Sequence, residues 1–304
     1  MNWTEKYRPK RVSDIVGQNK FVEDALSWID KNNMPNVLIY GNPGNGKTTA
    51  GHCLGNEFLG ESKALNYLEI NASQDRRLET IRTTITNFAN TKGTDDVPFK
   101  ICLLDEIDGM TKDSQRALKR TMERATNVRF IITCNTISDV DYAIRSRCAN
   151  YWFEGLQPEV MAKTLMEIAT KENTVFTYDE VLYYCNAING DMRRAINELQ
   201  ASAFSGNGLK EKTKQFMINY EKILDMLAAK QIFEANEILM KELVSGRSVK
   251  EICNNLHHCV LEKKEYDRAA MFKCLSHIGE MEWRSKSMTP KIIVSWFVAQ
   301  FIDN

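Results

Sequence analysis

The stretch "NVLIYGNPGNGKTTA", residues 36–50, decides how the rest of the chain is read. A short β-branched run leads into "GNPGNGKT", residues 41–48, and a helical pattern follows. That is the strand, loop and helix order of a phosphate-binding loop, G-x-x-x-x-G-K-[ST]. Gly41, Gly44 and Gly46 permit positive φ and close backbone approach, so successive N–H groups can surround a phosphate. Asn42, Pro43, Asn45 and Thr49 complete the candidate cradle. Lys47 offers a point charge for the outer phosphates, Thr48 a hydroxyl for Mg2+, and the following helix its N-terminal dipole.

On both sides of this loop, short apolar runs alternate with amphipathic ones. "NVLIYG", "LNYLEIN", "KICLLDE", "VRFIITCN" and "NYWFEG" read as strands separated by helices, which predicts an α/β fold with a parallel sheet. After "GLQP" at 155–158 the strand signal stops, and "NGD" at 189–191 and "SGNG" at 205–208 mark further breaks. The expected organisation is an α/β domain over 1–155, a small helical domain over 156–207 and a second helical domain over 208–304. Forty basic side chains balance forty acidic ones, which argues against a uniformly basic nucleic-acid binder while leaving room for a local basic face. Eight cysteines are scattered singly, mostly in apolar runs; they read as buried thiols of a reducing compartment. The start "MNWTEKYRPK" has no apolar core of a secretion signal, and no run is long enough to span a bilayer, so no membrane association is expected.

Two strands end in polar residues where ligands of open α/β sheets bind. "ICLLDEID", 101–108, places Asp105 and Glu106 at the carboxyl edge, one to hold Mg2+ and the other to polarise an attacking water. "FIITCN", 130–135, ends in Asn135, whose amide can position water or touch a γ phosphate.

"WTEKYRP" at 3–9, "VGQ" at 16–18, the phosphate loop, "NAS" at 71–73, "LLDEID", "TCN" at 133–135, "SRC" at 146–148 and "GDMRRAIN" at 190–197 occur in a characteristic order. In that order they resemble the small subunit of replication factor C, the AAA+ ATPase subunit of the archaeal and eukaryotic sliding-clamp loader; the phage clamp-loader ATPase is similar. Asn42 and Asn45 depart from the usual Pro and Thr of the loop, and "DEID" from "DEAD"; Asn45 is expected still to donate to phosphate. The resemblance implies a P-loop AAA+ domain, a helical lid and an all-α collar, with ATP and Mg2+ as cofactors. It implies that Thr4, Arg8 and Val16 frame the adenine and ribose, with Tyr7 and Pro9 shaping the N-terminal segment over the base. Asn135 becomes the first sensor, and Arg193 the second, reaching from the lid to the γ phosphate of its own subunit. Arg147 becomes a finger supplied in trans to a neighbour's ATP; the alternative is an arginine that merely pairs with a carboxylate. The implied partners are other loader subunits in a pentamer, a ring-shaped clamp of the PCNA type and primer-template DNA. The implied location is cytoplasmic and nucleoid-associated for an archaeal or viral protein, nuclear for a eukaryotic one. Rival readings are another AAA+ motor, such as a branch-migration helicase, and a structural subunit without hydrolysis.

Surface assignments rest on less. "TKDSQRALKRTMERA", 111–125, has an apolar stripe at 117, 118, 121, 122 and 125 and places Arg116, Lys119, Arg120 and Arg124 elsewhere on the helix. These cations fit either a solvated face or a phosphate backbone, and the resemblance favours DNA, with Arg76 and Arg77 added and Gln115 coupling the helix to the acidic pair. In "IRTTITNFANT", 81–91, Ile81, Ile85 and Phe88 share a face that core packing explains equally well; the resemblance makes Thr84, Ile85, Phe88 and Ala89 candidate clamp contacts. Cys253, His257, His258 and Cys259 do not converge on a continuous helix and read as packing rather than a metal site. "KIIVSWFVAQFI", 291–302, reads as a helix buried between others.

Overall fold

The computed structural model describes residues 1–72, 78–91, 97–188, 190–205, 209–244, 247–263 and 267–302. The chain divides into two compact units, Met1–Asn207 and Gly208–Asn304. The first unit holds strands β1 (Val37–Tyr40), β2 (Tyr67–Asn71), β3 (Lys100–Asp105), β4 (Val128–Cys134) and β5 (Ala149–Trp152). Its helices are α1 (Trp3–Lys6), α2 (Asn19–Asp30), α3 (Lys47–Leu59), α4 (Lys63–Asn66), α5 (Leu78–Asn90), α6 (Lys112–Arg124), α7 (Tyr142–Arg145), α8 (Pro158–Lys171), α9 (Tyr178–Ala187) and α10 (Met192–Ser205).

All five strands expected from the sequence form one parallel sheet in the order β2-β3-β4-β1-β5. Both faces are covered, which is why the central strands are apolar without alternation. Along β3, Ile101 and Leu103 enter the core under α2 and α3, while Cys102 and Leu104 enter the core under α5 and α6. Because the strands are parallel, their carboxyl ends share one edge. The order puts β1, which feeds the phosphate loop, between β4 and β5, with Asn135 just beyond one neighbour. β3, carrying Asp105, lies one strand further on.

The sequence after β5 folds as the helices α8–α10. The turn before α10 lies against the end of the sheet: a Cβ on Gly190 would come within 2.5 Å of the Gly155 backbone. The N-terminal helix α1 joins this helical part through buried Trp3, whose N–H donates to Gln200 Oε1 at 3.0 Å.

The second unit comprises α11 (Leu209–Ala228), α12 (Ile232–Val244), α13 (Val249–Glu262), α14 (Arg268–Arg284) and α15 (Pro290–Ala299) around one core. Cys253 and Cys259 are buried on α13, and burial raises their thiols to about 12 and about 11. α15 buries Ile293, Val294, Phe297 and Val298, whereas Ile292 is 56% exposed, so the terminal helix is covered on one face rather than all round. Among the described residues, no helix is long and apolar enough to cross a membrane.

Candidate active site

The phosphate loop runs from the end of β1 into α3. Gly46 precedes the helix at φ 88°, where nothing would obstruct a side chain, so backbone conformation alone demands glycine there. Gly44 has φ 82° and a second constraint: a Cβ would stand 1.9 Å from Asp191 Oδ1. Asp191 caps α10 by accepting the Arg194 N–H at 3.0 Å, so the start of α10 rests on the loop. Asn45 is buried and donates from Nδ2 to the Phe153 carbonyl at 3.1 Å. That bond corrects the expectation that its side-chain amide donates to phosphate; the amide instead ties the loop to the residue after β5.

Lys47 is 8% exposed. Its Nζ donates to the carbonyls of Gly41 at 2.8 Å and Asn42 at 2.9 Å and to Asn135 Oδ1 at 3.0 Å. Burial pushes this ammonium below the usual lysine range, and the positive charge of Arg193 adds to the depression. The carboxylates of Asp105 and Asp108 act in the opposite sense and favour its charged form. Arg193 itself is exposed at the start of α10.

The acidic pair is fixed by a hydroxyl network. Thr48 Oγ1 and Thr133 Oγ1 both donate to Asp105 Oδ1, at 2.9 and 2.5 Å. Thr133 Oγ1 in turn accepts the Glu106 N–H at 3.1 Å. Glu106 has φ 58° and ψ 48°, a left-handed conformation uncommon for a side-chain-bearing residue, and is exposed at the sheet edge. Thr133 carries no role in the sequence reading, although "TCN" contains it, because its reach to Asp105 depends on β3 and β4 being neighbours. Thr48 and Asp105 offer hard oxygen ligands 2.9 Å apart, a donor set that suits Mg2+.

At the N-terminal segment, Arg8 Nε donates to Thr49 Oγ1 at 3.1 Å, and Tyr7 Oη to Glu172 Oε1 at 2.7 Å. Pro9 O accepts from Cys53 Sγ, and the Thr4 hydroxyl is engaged with Asn2 Oδ1. Half-buried Val16 precedes Gly17, whose turn is packed on Leu156, and Gln18 Nε2 donates to Glu154 O at 3.0 Å. These bonds bring "EKYRP" and "VGQ" to the phosphate-loop helix and the segment after β5.

Arg147 lies elsewhere. It precedes β5, whose Ala149 is in register with Val37 at the start of β1, so it stands at the amino edge while the phosphate loop leaves the carboxyl edge. Its guanidinium donates to Ala143 O at 2.8 Å and pairs with Glu123 of α6. Arg145 stacks on Tyr142, 5.7 Å from the ring centre.

On α6, Leu118, Thr121, Met122 and Ala125 of the expected stripe are buried, and Ala117 is half-buried. Arg120 and Arg124 are exposed, Lys119 is half-buried, and Arg116 is partly engaged by Asp113 and Asp141 at 3.3 and 3.7 Å. Gln115 is fully buried, donating to Asp139 O at 3.0 Å and Ile107 O at 3.3 Å and accepting the Asp141 N–H. It therefore ties α6 to the turn after the acidic pair. Arg76 and Arg77 lie outside the described residues. On α5, Thr84, Phe88 and Ala89 are half-buried, but Ile85 is fully buried in the core. This corrects its assignment as a partner contact, because the face it occupies is the one that packs on the sheet.

Residues 37–156 match the family model of the AAA ATPases associated with various cellular activities. The fold is similar to that of the RuvB Holliday junction branch migration motor of Thermotoga maritima, with a TM-score of 0.58 at 15% identity over 73% of this chain and 79% of that one. Among curated proteins, the chain is 35% identical to the replication factor C small subunit of Methanoregula boonei, covering 99% of this chain and 96% of that protein. It is equally 35% identical to the subunit of Methanothermobacter thermautotrophicus, over 99% and 98%. Near-complete coverage at this identity, with the phosphate loop, the carboxylates and Asn135 gathered at one sheet edge, places the chain in the replication factor C small subunit family of AAA+ ATPases.

Proposed function

We propose that this chain loads a ring-shaped sliding clamp of the PCNA type onto primer-template DNA, as one ATPase subunit of a pentameric loader. With ATP at the phosphate loop, Lys47 would exchange the Gly41 and Asn42 carbonyls for phosphate oxygens, and Arg193 would reach in from α10. Thr48 and Asp105 would hold Mg2+, which supplies positive charge against the phosphates. Glu106 orients and polarises the attacking water, and Asn135 positions the γ phosphate. Arg147 completes the adjacent subunit's site, so hydrolysis follows assembly. α6 follows the DNA backbone through Lys119 and Arg120, and the end of α5 with Thr84, Phe88 and Ala89 meets the clamp.

The observation that carries this reading is Arg147 at the amino edge. The strand between it and its own phosphate loop spans four residues, roughly 13 Å at about 3.3 Å per residue. An arginine so placed serves another molecule's nucleotide or none. The test is steady-state ATPase activity of the assembly purified from its source, with and without primer-template DNA and the clamp. Joint stimulation supports a loader; a rate indifferent to both contradicts one.

A further inference from the structure

The strand β4 ends at Cys134, whose carbonyl accepts the Gly41 N–H at 3.3 Å. Asn135 is thus the first residue past the ladder, exposed, with a backbone N–H that no strand takes. Asp108 takes it: Oδ2 accepts this N–H at 2.9 Å. The same Asn135 receives Lys47 Nζ on its side chain, so the Asp108 carboxylate fixes the base from which Asn135 reaches the lysine. The second oxygen, Oδ1, is closed to solvent and has no hydrogen-bond partner. A carboxylate oxygen in that state needs a donor, and its negative charge acts on the Lys47 ammonium.

We propose that Asp108 is a positioning residue for hydrolysis: one oxygen holds the backbone of Asn135, and the other accepts a hydrogen bond from a water enclosed with the bound nucleotide. The acidic turn would therefore divide its work: Asp105 would hold Mg2+ with Thr48, Glu106 would orient the attacking water, and Asp108 sets the place of Asn135. This rests on the ATP site described above, and the unmodified protein's own turnover checks that site independently.

Asp108→Asn separates this role from a merely structural one. The amide oxygen can still accept the Asn135 N–H, but an NH2 group then stands where an acceptor is required. The expected result is an ATP dissociation constant within about threefold of the unmodified protein, and kcat lower by about tenfold or more. Affinity for ADP with aluminium fluoride, which mimics the reacting phosphate, should fall by a comparable factor while ATP affinity holds. Asp108→Ala, lacking both bonds, should be at least as impaired. Asp108→Asn at the unmodified kcat would overturn the proposal, since the Asn135 bond alone would then suffice. Loss of ATP binding in that variant would overturn it too, by moving Asp108 from positioning to nucleotide binding or folding.

Discussion

At the scale of single residues, the site separates binding from turnover. Lys47→Ala removes the one buried cation of the phosphate loop, and the loss of a charged hydrogen bond of about 1.5–3 kcal/mol predicts ATP affinity lower by about tenfold to more than a hundredfold. Equilibrium titration with a fluorescent ATP analogue checks this, and unchanged affinity would refute the loop's assignment. Glu106→Gln keeps the loop, Thr48 and Asp105 in place; it should bind ATP normally and turn over about a hundredfold or more slower in single-turnover measurements. Lys47, Thr48, Asp105 and Glu106 are legible in the sequence because spacing along one loop and one strand end defines them. Thr133, Asp108 and Asp191 are not, because each acts on a residue brought close only by strand order or by the start of α10. Asn45 shows the converse: its type fits a phosphate donor, yet the Phe153 carbonyl just after β5 claims its amide.

Among the elements, α6 and α5 carry the surface assignments. Replacing Arg116, Lys119 and Arg120 together with Ala should weaken DNA-stimulated ATPase and flatten its salt dependence by about one logarithmic unit per lost phosphate contact. Basal activity should hold, because α6 reaches the site through buried Gln115 rather than through these cations. An unaltered salt slope would show that this face is merely solvated. The end of α5 is held by the start of β3 and the residue before β4: buried Lys100 donates from Nζ to Phe88 O at 2.7 Å, to Thr91 O and to Thr91 Oγ1, and Asn127 Nδ2 donates to Ala89 O at 3.0 Å. Lys100→Met would leave helix carbonyls unpaired, and urea unfolding should show a loss of about 1–3 kcal/mol; a stability equal to the unmodified protein's would contradict that role. The helical period exposed which faces of α6 are buried. For α5, period marked Ile85 and Phe88 as one face, but only packing shows that the sheet covers Ile85.

For the whole molecule, the separation that matters is between Arg147 at the amino edge of the sheet and the phosphate loop at its carboxyl edge. Strand runs and glycine breaks made the sheet and its helical sequel legible, whereas β5 beside β1 was not, and that neighbour relation is what separates Arg147 from Gly41. In this chain Arg147 is paired with Glu123, so engaging a neighbour's phosphate means exchanging that carboxylate for a more highly charged anion. A trans arginine contributes on the order of a thousandfold in rate, so Arg147→Ala should bind ATP and fail to turn it over. The most direct measurement is the ATPase rate of Arg147→Ala protein mixed with Lys47→Ala protein under conditions in which the assembly forms. Each variant alone should be nearly inactive, and an equal mixture should recover up to about a quarter of the full rate, because random pairing sets an intact loop beside an intact finger at that fraction of interfaces. Full activity of Arg147→Ala alone, or no recovery in a mixture shown to co-assemble, would contradict a finger acting between subunits.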